Sequence, residues 1–119
     1  MAGPDRQTLL SGAFGSTSGL QEEHLRLIAE RATPQPYATT TSPLHLAHSE
    51  LHGVRRIAIF CSAGGIDVAH LRDLIAQGDP RAAIFADTDW ELHDLATGYW
   101  PMLSQPGPLA DLLGDIVGR

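Results

Sequence analysis

The stretch 54-VRRIAIFCSAGGIDVAHLRDLIAQ-77 carries the strongest structural signal in the chain. Residues 57–61 are all apolar, so a strand over 54–61 is predicted that is buried on both faces of a parallel sheet. The turn at Ser62–Gly65 ends this strand, and Asp67 is placed to cap a helix over about 68–77. The inward-facing positions of that helix are Val68, Leu71, Leu74 and Ile75. The stretch therefore predicts a strand followed by a helix in an α/β layer.

A second strand and a closing helix follow further along the chain. Alternating apolar and polar residues predict a strand over about 89–95, whereas residues 79–88 fit neither pattern. A helix is predicted over about 107–117, because apolar residues recur there at helical spacing. The residues of this apolar stripe are Leu109, Leu112, Leu113, Ile116 and Val117. The order of elements predicts an α/β fold with a right-handed crossover between parallel strands.

The part before residue 54 reads as a helix between two irregular segments. Residues 1–19 are rich in Gly, Ser and Thr, which is typical of a flexible arm. Ser18 is placed to cap a helix over about 19–31, with Gln21 as its capping-box partner. Pro34 and Pro36 end this helix, and residues 33–44 are predicted to run extended over a surface.

Composition limits the classes of function. The chain has 119 residues, which suits one domain, and a net charge of −6 with Arg as its only strongly basic residue. An acidic surface argues against binding the phosphate backbone of nucleic acids, and equally against acidic membranes. A single cysteine, Cys61, excludes an internal disulfide. No signal-like or membrane-length apolar stretch is present, so a soluble cytoplasmic protein is expected.

A resemblance to a known family rests on two stretches. The residues 90-WELHDLATG-98, followed by Pro101, Met102 and Pro106, resemble the end of the α/β-hydrolase fold. In that family the last strand leads into the loop of the catalytic histidine, and a closing helix follows. Upstream, 33-TPQPYATTTSPL-44 resembles the segment that leads out of the lid in bacterial esterase-like members. The resemblance covers about residues 20–117.

This resemblance implies a partial α/β-hydrolase fold, made of the last strands and helices of a parallel sheet after a lid-like helical segment. The chain would divide into a flexible N-terminal arm at 1–19, a lid-like helix with a Pro- and Thr-rich connector at 20–53, and a C-terminal α/β half-domain at 54–119. The early strands, the oxyanion loop and the nucleophile elbow of the family would all precede residue 1. Met1 is then either the natural start of the protein or the start of a truncated form.

Two residues are candidates for the catalytic positions of the family. The resemblance places Tyr99 where the catalytic histidine stands, and places Asp67 where the family often has its acid. A tyrosine hydroxyl has an ordinary pKa of about 10, so Tyr99 is a poor base at neutral pH. It suits either a hydrogen-bond donor to a carbonyl or a packing ring with its hydroxyl at the rim. Asp67 serves equally well as a helix cap.

The nucleophile elbow has one weak match, Gly15–Gly19, with Thr17 at its centre. No buried apolar strand precedes it, so a loop that ends in a helix cap is the preferred interpretation. His93 lies on the predicted second strand and would replace the missing base only if the strand shifted its register. The turn at Ser62–Gly65 is similar to an anion-binding nest but lacks the spacing of a nucleotide-binding loop, so no cofactor is predicted.

Two further groups of residues have chemical potential. His45, His48 and His52 would share one face of a helix, with Glu50 nearby, as in some metal sites. A solvated segment is preferred and no metal is predicted, because a fourth ligand and supporting hydrogen bonds are also needed. Cys61 ends a strand where α/β proteins often bind ligands, but packing is the preferred role of a free cysteine.

Two functional hypotheses follow. The first is a truncated, degenerate α/β-hydrolase-like protein without hydrolase activity of its own, which acts as a binding or accessory module. A homo-oligomer or a partner protein would cover its open sheet edge, and a small-molecule ligand is a further expectation. The second is an esterase-like hydrolase completed by a partner chain or by self-association. A lyase or isomerase that uses Tyr99 as a hydrogen-bond donor belongs to the same hypothesis.

Overall fold

The computed structural model describes residues 16–48, 53–87 and 89–118. Two strands and several helices alternate along the chain, which confirms the predicted α/β class. The elements are α1 (Glu22–Arg31), the short α2 (Ala38–Thr41), β1 (Arg56–Cys61), a 3₁₀ turn (Ser62–Gly64), α3 (Val68–Ala76), a 3₁₀ helix (Pro80–Phe85), β2 (Trp90–Leu95), the short α4 (Pro101–Ser104) and α5 (Pro106–Val117). The ambiguous stretch 79–88 thus holds the 3₁₀ helix.

The two strands form a parallel sheet, as predicted. Their register is continuous from Arg56 opposite Trp90 to Cys61 opposite Leu95, so neither strand contains a bulge. Because side chains alternate between the faces of a strand, each face of the sheet carries every second residue. The even face holds Arg56, Ala58, Phe60, Trp90, Leu92 and Asp94, and the odd face holds Ile57, Ile59, Cys61, Glu91, His93 and Leu95.

The even face is covered by α3 and by the 3₁₀ helix that follows it. Phe85 contacts Phe60 and Trp90 edge-to-face, with ring centroids 5.6 and 5.1 Å apart. Val68 and Leu71 of α3 are buried, while Leu74 and Ile75 are half-buried. This confirms the predicted inward side of the helix. Three of the six buried apolar side chains of the described residues, Val68, Leu71 and Ala82, belong to these two helices.

Helix α5 meets the sheet through a polar connection. The Arg55 guanidinium donates one hydrogen bond to the carbonyl of Ile116 at 2.8 Å and another to the Glu91 carboxylate at 2.9 Å. Ile116 itself is buried. Since a cation near the end of a helix interacts favourably with the last carbonyls, Arg55 ties the end of α5 to β2.

Four expectations are corrected. Strand β1 is half-buried at all six positions rather than buried on both faces, because a neighbouring strand covers only one of its edges within the described residues. The stripe on α5 is not an inward face throughout: Leu113 and Val117 are exposed. The segment 33–44 is not extended throughout, since it contains α2, whose Thr39, Thr40 and Thr41 hydroxyls donate to backbone carbonyls one turn earlier.

The fourth correction concerns the start of α1. The cap is Gln21 rather than Ser18, and the Gln21 N–H donates to Nδ1 of His24 at 3.1 Å. Ser18 lies three residues before this cap, and its backbone N–H donates to the Ser16 hydroxyl. Most of the predicted N-terminal arm, residues 1–15, lies outside the described residues. No helix in the described ranges is long and apolar enough to cross a bilayer.

Candidate functional site

A groove of about 520 Å³ opens at the carboxyl end of β1. We call it the β1 groove. Its lining consists of Ile59, Phe60, Cys61, Gly64, Ile66, Tyr99, Pro101 and Met102. None of these side chains is charged, and the only side-chain groups with polar hydrogens are the Cys61 thiol and the Tyr99 hydroxyl. In open parallel sheets, ligands usually bind beyond the carboxyl ends of the strands, so this groove is the natural candidate site.

The groove lies at the edge of the sheet rather than over one face. Ile59, Phe60 and Cys61 are consecutive residues and all three line it. Consecutive side chains of a strand point to opposite faces, so a groove lined by all three lies beside or beyond the strand, and Ile59, two residues before the strand's end, favours a position beside it. Within the described residues, β2 is the only strand that pairs with β1. The groove therefore follows the unpaired edge of β1.

Tyr99 stands at the mouth of this groove. Its side chain is among the exposed large apolar groups, at 57% of its full area, and its ring meets Trp100 edge-to-face at 5.9 Å between centroids. The hydroxyl makes no hydrogen bond to any described residue. This position leaves the hydroxyl free to donate to a bound group, and leaves one side of the ring open for an apolar partner.

The loop that carries Tyr99 is held from both sides. Gly98 is required, because a Cβ there would lie 2.2 Å from the Ser18 carbonyl oxygen. The hydroxyls of Thr97 and Ser104 are hydrogen-bonded to each other, and Ser104 also donates to the carbonyl of Trp100 at 3.1 Å. Thr97 is buried, and Pro101 opens the short helix α4. The loop is thus a fixed wall of the β1 groove.

The elbow-like segment is part of this support. The described part of it, Ser16–Gly19, forms a turn closed by a hydrogen bond from the Leu20 N–H to the Thr17 carbonyl at 3.1 Å. It lies against Gly98, with Gly19 in the left-handed region at φ 86°. Thr17 is not among the residues that line the β1 groove. The segment therefore braces the loop from outside.

Asp67 caps α3, as predicted, and does not line the β1 groove. Its carboxylate accepts a hydrogen bond from the His70 N–H at 2.7 Å. Asp94, from the end of β2, accepts the Val68 N–H at 2.8 Å, so two carboxylates satisfy the first turn of the helix. Sequence reasoning missed Asp94, because a cap supplied from a distant strand leaves no local pattern. The structure thus does not bring Asp67 and Tyr99 together in one groove.

His93 belongs to an ionic cluster on the odd face. Its Nε2 lies 2.8 Å from Oε1 of Glu91, whose other oxygen accepts from Arg55. The His93 side chain is 16% exposed and is not part of the groove lining. The cluster connects β2 to α5 through Arg55, so we assign it a structural role: it stabilises the packing of α5 against the sheet. Alternation along β2 places Glu91 and His93 on one face, and that signal was readable in the sequence.

The histidines before β1 do not form a helix face within the described part of the chain. His45 and His48 are exposed on a non-helical segment, and His52 lies outside the described residues. Among residues 16–48, 53–87 and 89–118, no three His, Cys, Asp or Glu side chains converge as metal ligands. The absence of a metal site therefore remains a prediction.

A smaller pocket of about 360 Å³ lies between α1 and the Tyr99 loop. Leu27, Ile28, Arg31, Ala32 and Trp100 line it. Arg31 belongs to the last turn of α1, where a cation complements the helix dipole without any ligand. The β1 groove is the better candidate, because it combines an open backbone edge with the loop that the sequence singled out.

Comparison of the chain with protein-family models, with curated proteins and with solved structures finds no match. The resemblance to the α/β-hydrolase family therefore stays a prediction. The function has to be argued from the groove itself. An uncharged, apolar groove along an unpaired strand suits an extended apolar segment better than a charged metabolite, because both backbone pairing and apolar contact are available there.

Proposed function

We propose that this protein is a binding module that docks a polypeptide strand in the β1 groove and has no hydrolase activity of its own. The observation that carries the proposal is that, within residues 16–48, 53–87 and 89–118, no strand pairs with the outer edge of β1, which borders an uncharged groove. Only six apolar side chains among the described residues are buried: Ile28, Val68, Leu71, Ala82, Leu95 and Ile116. So small a core leaves much apolar surface for a partner to cover, and Ile66, Tyr99 and Met102 of the groove are among the exposed side chains.

In this proposal the scaffold is a degenerate α/β-hydrolase half. On that resemblance, the residue that would remove a proton is Tyr99, which at neutral pH is a donor rather than a base. The groove lining also contains no histidine or carboxylate that would act in its place. A strand from a partner would extend the sheet, in the way that extended peptides add to open sheet edges. The single free thiol suits the reducing cytoplasm, where we propose that the module works.

A labelled peptide tests the docking function. The probe carries the residues of 55–62 with serine in place of Cys61, and its binding to dilute full-length protein is followed by fluorescence anisotropy. Saturable binding that is lost in Ile59→Lys is expected, since a charge on the strand would block apolar pairing. Ile84→Lys, at an apolar side chain of the 3₁₀ helix that is 65% exposed and does not line the groove, is the matched control and should leave binding intact. No binding to the unsubstituted protein would overturn the docking function.

A second candidate is an esterase-like hydrolase, or a lyase or isomerase, completed by another chain. It is favoured by the position of Tyr99, whose unengaged hydroxyl stands at the mouth of the groove. In this case Tyr99 would donate a hydrogen bond to a substrate carbonyl. Turnover of a chromogenic short-chain ester by the pure protein, abolished in Tyr99→Phe, would support the enzyme and overturn the non-catalytic module. Activity that appears only in Tyr99→His would show that the remaining catalytic groups are present.

A further inference from the structure

We infer that the strand which occupies the β1 groove is β1 of a second copy of this chain. The two β1 strands would pair antiparallel about a twofold axis, with Ile59 opposite Ile59 of the second copy. The product is a four-stranded sheet in the order β2, β1, β1, β2. This inference rests on the proposed docking function of the groove and names its occupant.

The two outer edges of the sheet differ in their protection. Strand β2 carries Glu91, His93 and Asp94, and Asp87 and Asp89 precede it. Charges of this kind keep an edge strand from pairing with other chains. Residues 57–61 of β1 contain no charge and no proline, and the continuous register excludes a bulge. Arg56 is the only charged residue of β1 and stands at its amino end, so the run 57–61 is the part of the two edges that lacks these features and that another strand would cover.

The charges that flank β1 decide the direction of pairing. Arg55 and Arg56 stand at its amino end, and Arg55 is exposed. Arg55 is paired with Glu91 at 2.9 Å and Arg56 with Asp87 at 3.6 Å in their own chain. A parallel arrangement in register would bring both arginines beside the same residues of the second copy, where like charges repel and no further carboxylate is gained. An antiparallel arrangement moves the two arginine pairs to opposite ends of the interface. In that arrangement Arg56 faces the uncharged Ser62 of the second copy.

The apolar run decides the register. A twofold axis perpendicular to the sheet keeps each face on its own side, so directly opposed residues must both be odd or both be even in number. Centring the axis on Ile59 pairs residues 57–61 with residues 61–57 of the second copy. Centring it on Ala58 would instead place Arg56 against Phe60. The Ile59 register is the one in which the whole uncharged run is opposed by itself.

The same arrangement fills the β1 groove. In the Ile59 register, Ile57 of the second copy comes beside Cys61, at the end of the strand where the groove opens. Ile66, Tyr99 and Met102 are then placed to cover the incoming strand rather than to face solvent. Because the axis is twofold, the second copy's groove receives the first copy's Ile57 in the same way. The contact is closed and does not propagate into a filament.

Disulfide cross-linking tests both the partner and the register. Ile59→Cys in a Cys61→Ser background places one thiol opposite its own copy, at a Cα separation of about 4.5–5.5 Å that a disulfide can span. Mild oxidation should convert most of this variant to a covalent dimer. Ala58→Cys in the same background is the register control. Its thiols would be diagonal neighbours roughly 7–8 Å apart at Cα, so about tenfold less cross-linking is expected.

The oxidised and reduced proteins are then compared by light scattering. Full-length protein is expected to have twice the mass of one chain, and Ile59→Lys to have the mass of one. A dimer that cross-links through Ala58→Cys, or that survives Ile59→Lys, would overturn the inferred interface. A monomer at concentrations far above micromolar that still binds the labelled peptide would overturn the second copy as occupant but retain the docking function. A monomer that also fails to bind the peptide would overturn both.

Discussion

Strands β1 and β2 have the same length and lie side by side, yet they are held in the fold by different means. β2 is anchored by its polar side chains: Asp94 reaches α3, and Glu91 reaches α5 through Arg55. β1 contributes five uncharged apolar residues, whose outer edge pairs with no described strand. The charges that attach β2 to its own chain also protect its edge. The apolar residues of β1 form no such polar bonds to the rest of the chain and do not prevent another strand from pairing with its edge. β1 is therefore the strand that is open to a partner.

The two sides of the β1 groove differ in a similar way: one side is fixed within the fold and the other is open. The wall formed by the Tyr99 loop is fixed by Gly98 against Ser18 and by the hydroxyls of Thr97 and Ser104. The opposite side of the groove is the backbone edge of β1 with which no described strand pairs. A rigid wall beside an open edge is an arrangement suited to strand addition, because the peptide supplies the missing hydrogen bonds and the wall selects its side chains.

The largest effect is expected from the covered face. Leu71→Ala removes a side chain that is 4% exposed between α3 and the even face, and should lower the free energy of unfolding by about 2–5 kcal/mol. Urea denaturation followed by circular dichroism measures the loss. Ile66→Ala, at an apolar side chain of the open groove that is 48% exposed, should cost about 0.5 kcal/mol or less in the monomer. Equal losses of unfolding free energy in the two variants would show that the groove is packed as tightly as the covered face.

The next effect concerns the wall beside Tyr99. In Gly98→Ala the new Cβ overlaps the Ser18 carbonyl oxygen, so the loop or the Ser16–Gly19 turn must move. Overpacking of this kind should cost about 1–3 kcal/mol and weaken peptide binding in the groove. Gly114→Ala in α5 is the matched control. Its Cβ would meet nothing within 4 Å, and it should stabilise the protein by up to about 1 kcal/mol. If both substitutions stabilise, Ser18 does not brace the loop.

A smaller effect tests the anchoring of β2. Asp94→Ala leaves the Val68 N–H without its acceptor at the start of α3, and should cost about 1 kcal/mol. The loss is measured by chemical denaturation at neutral pH and moderate salt. Asp73→Ala, on an exposed position of the same helix, should be neutral or slightly stabilising, because alanine favours a helix more than aspartate does. A loss of the same size in both variants would contradict the cap.

The smallest effect lies outside both strands. A side-chain hydrogen bond from Arg81, with a further one from its backbone N–H, holds the pKa of Asp79 at about 2, below its ordinary value of 3.8. The pair's contribution to stability is complete above pH 3.8 and is lost as the pH falls through 2. Arg81→Gln should return the Asp79 pKa towards 3.8, as measured by carbon NMR of the carboxyl group. An unchanged pKa in Arg81→Gln would show that the guanidinium is not its cause. Global stability at neutral pH should hardly change, since Arg81 is 82% exposed.

The elements of the α/β half were readable from local patterns. The predicted strand at 54–61 and helix at 68–77 differ from β1 and α3 by no more than two residues at either end. The Asp67 cap was also correct, because a cap is determined by residues within one turn of it. The Ser18 cap was wrong: the helix begins at Glu22, and the backbone of Ser18 packs instead against Gly98, which is distant in sequence.

The sequence by itself determined which segments are strands and helices, because hydrophobic period and capping depend on near neighbours. It also placed Tyr99 in the loop after the last strand. Only the tertiary structure decided that β1 is half-buried, that Asp94 shares the cap of α3, and that Cys61 and Tyr99 line one groove while Asp67 does not. These outcomes depend on which surfaces meet across the fold. The spacing of apolar residues along the sequence is the same whether another part of the chain or a separate partner covers them.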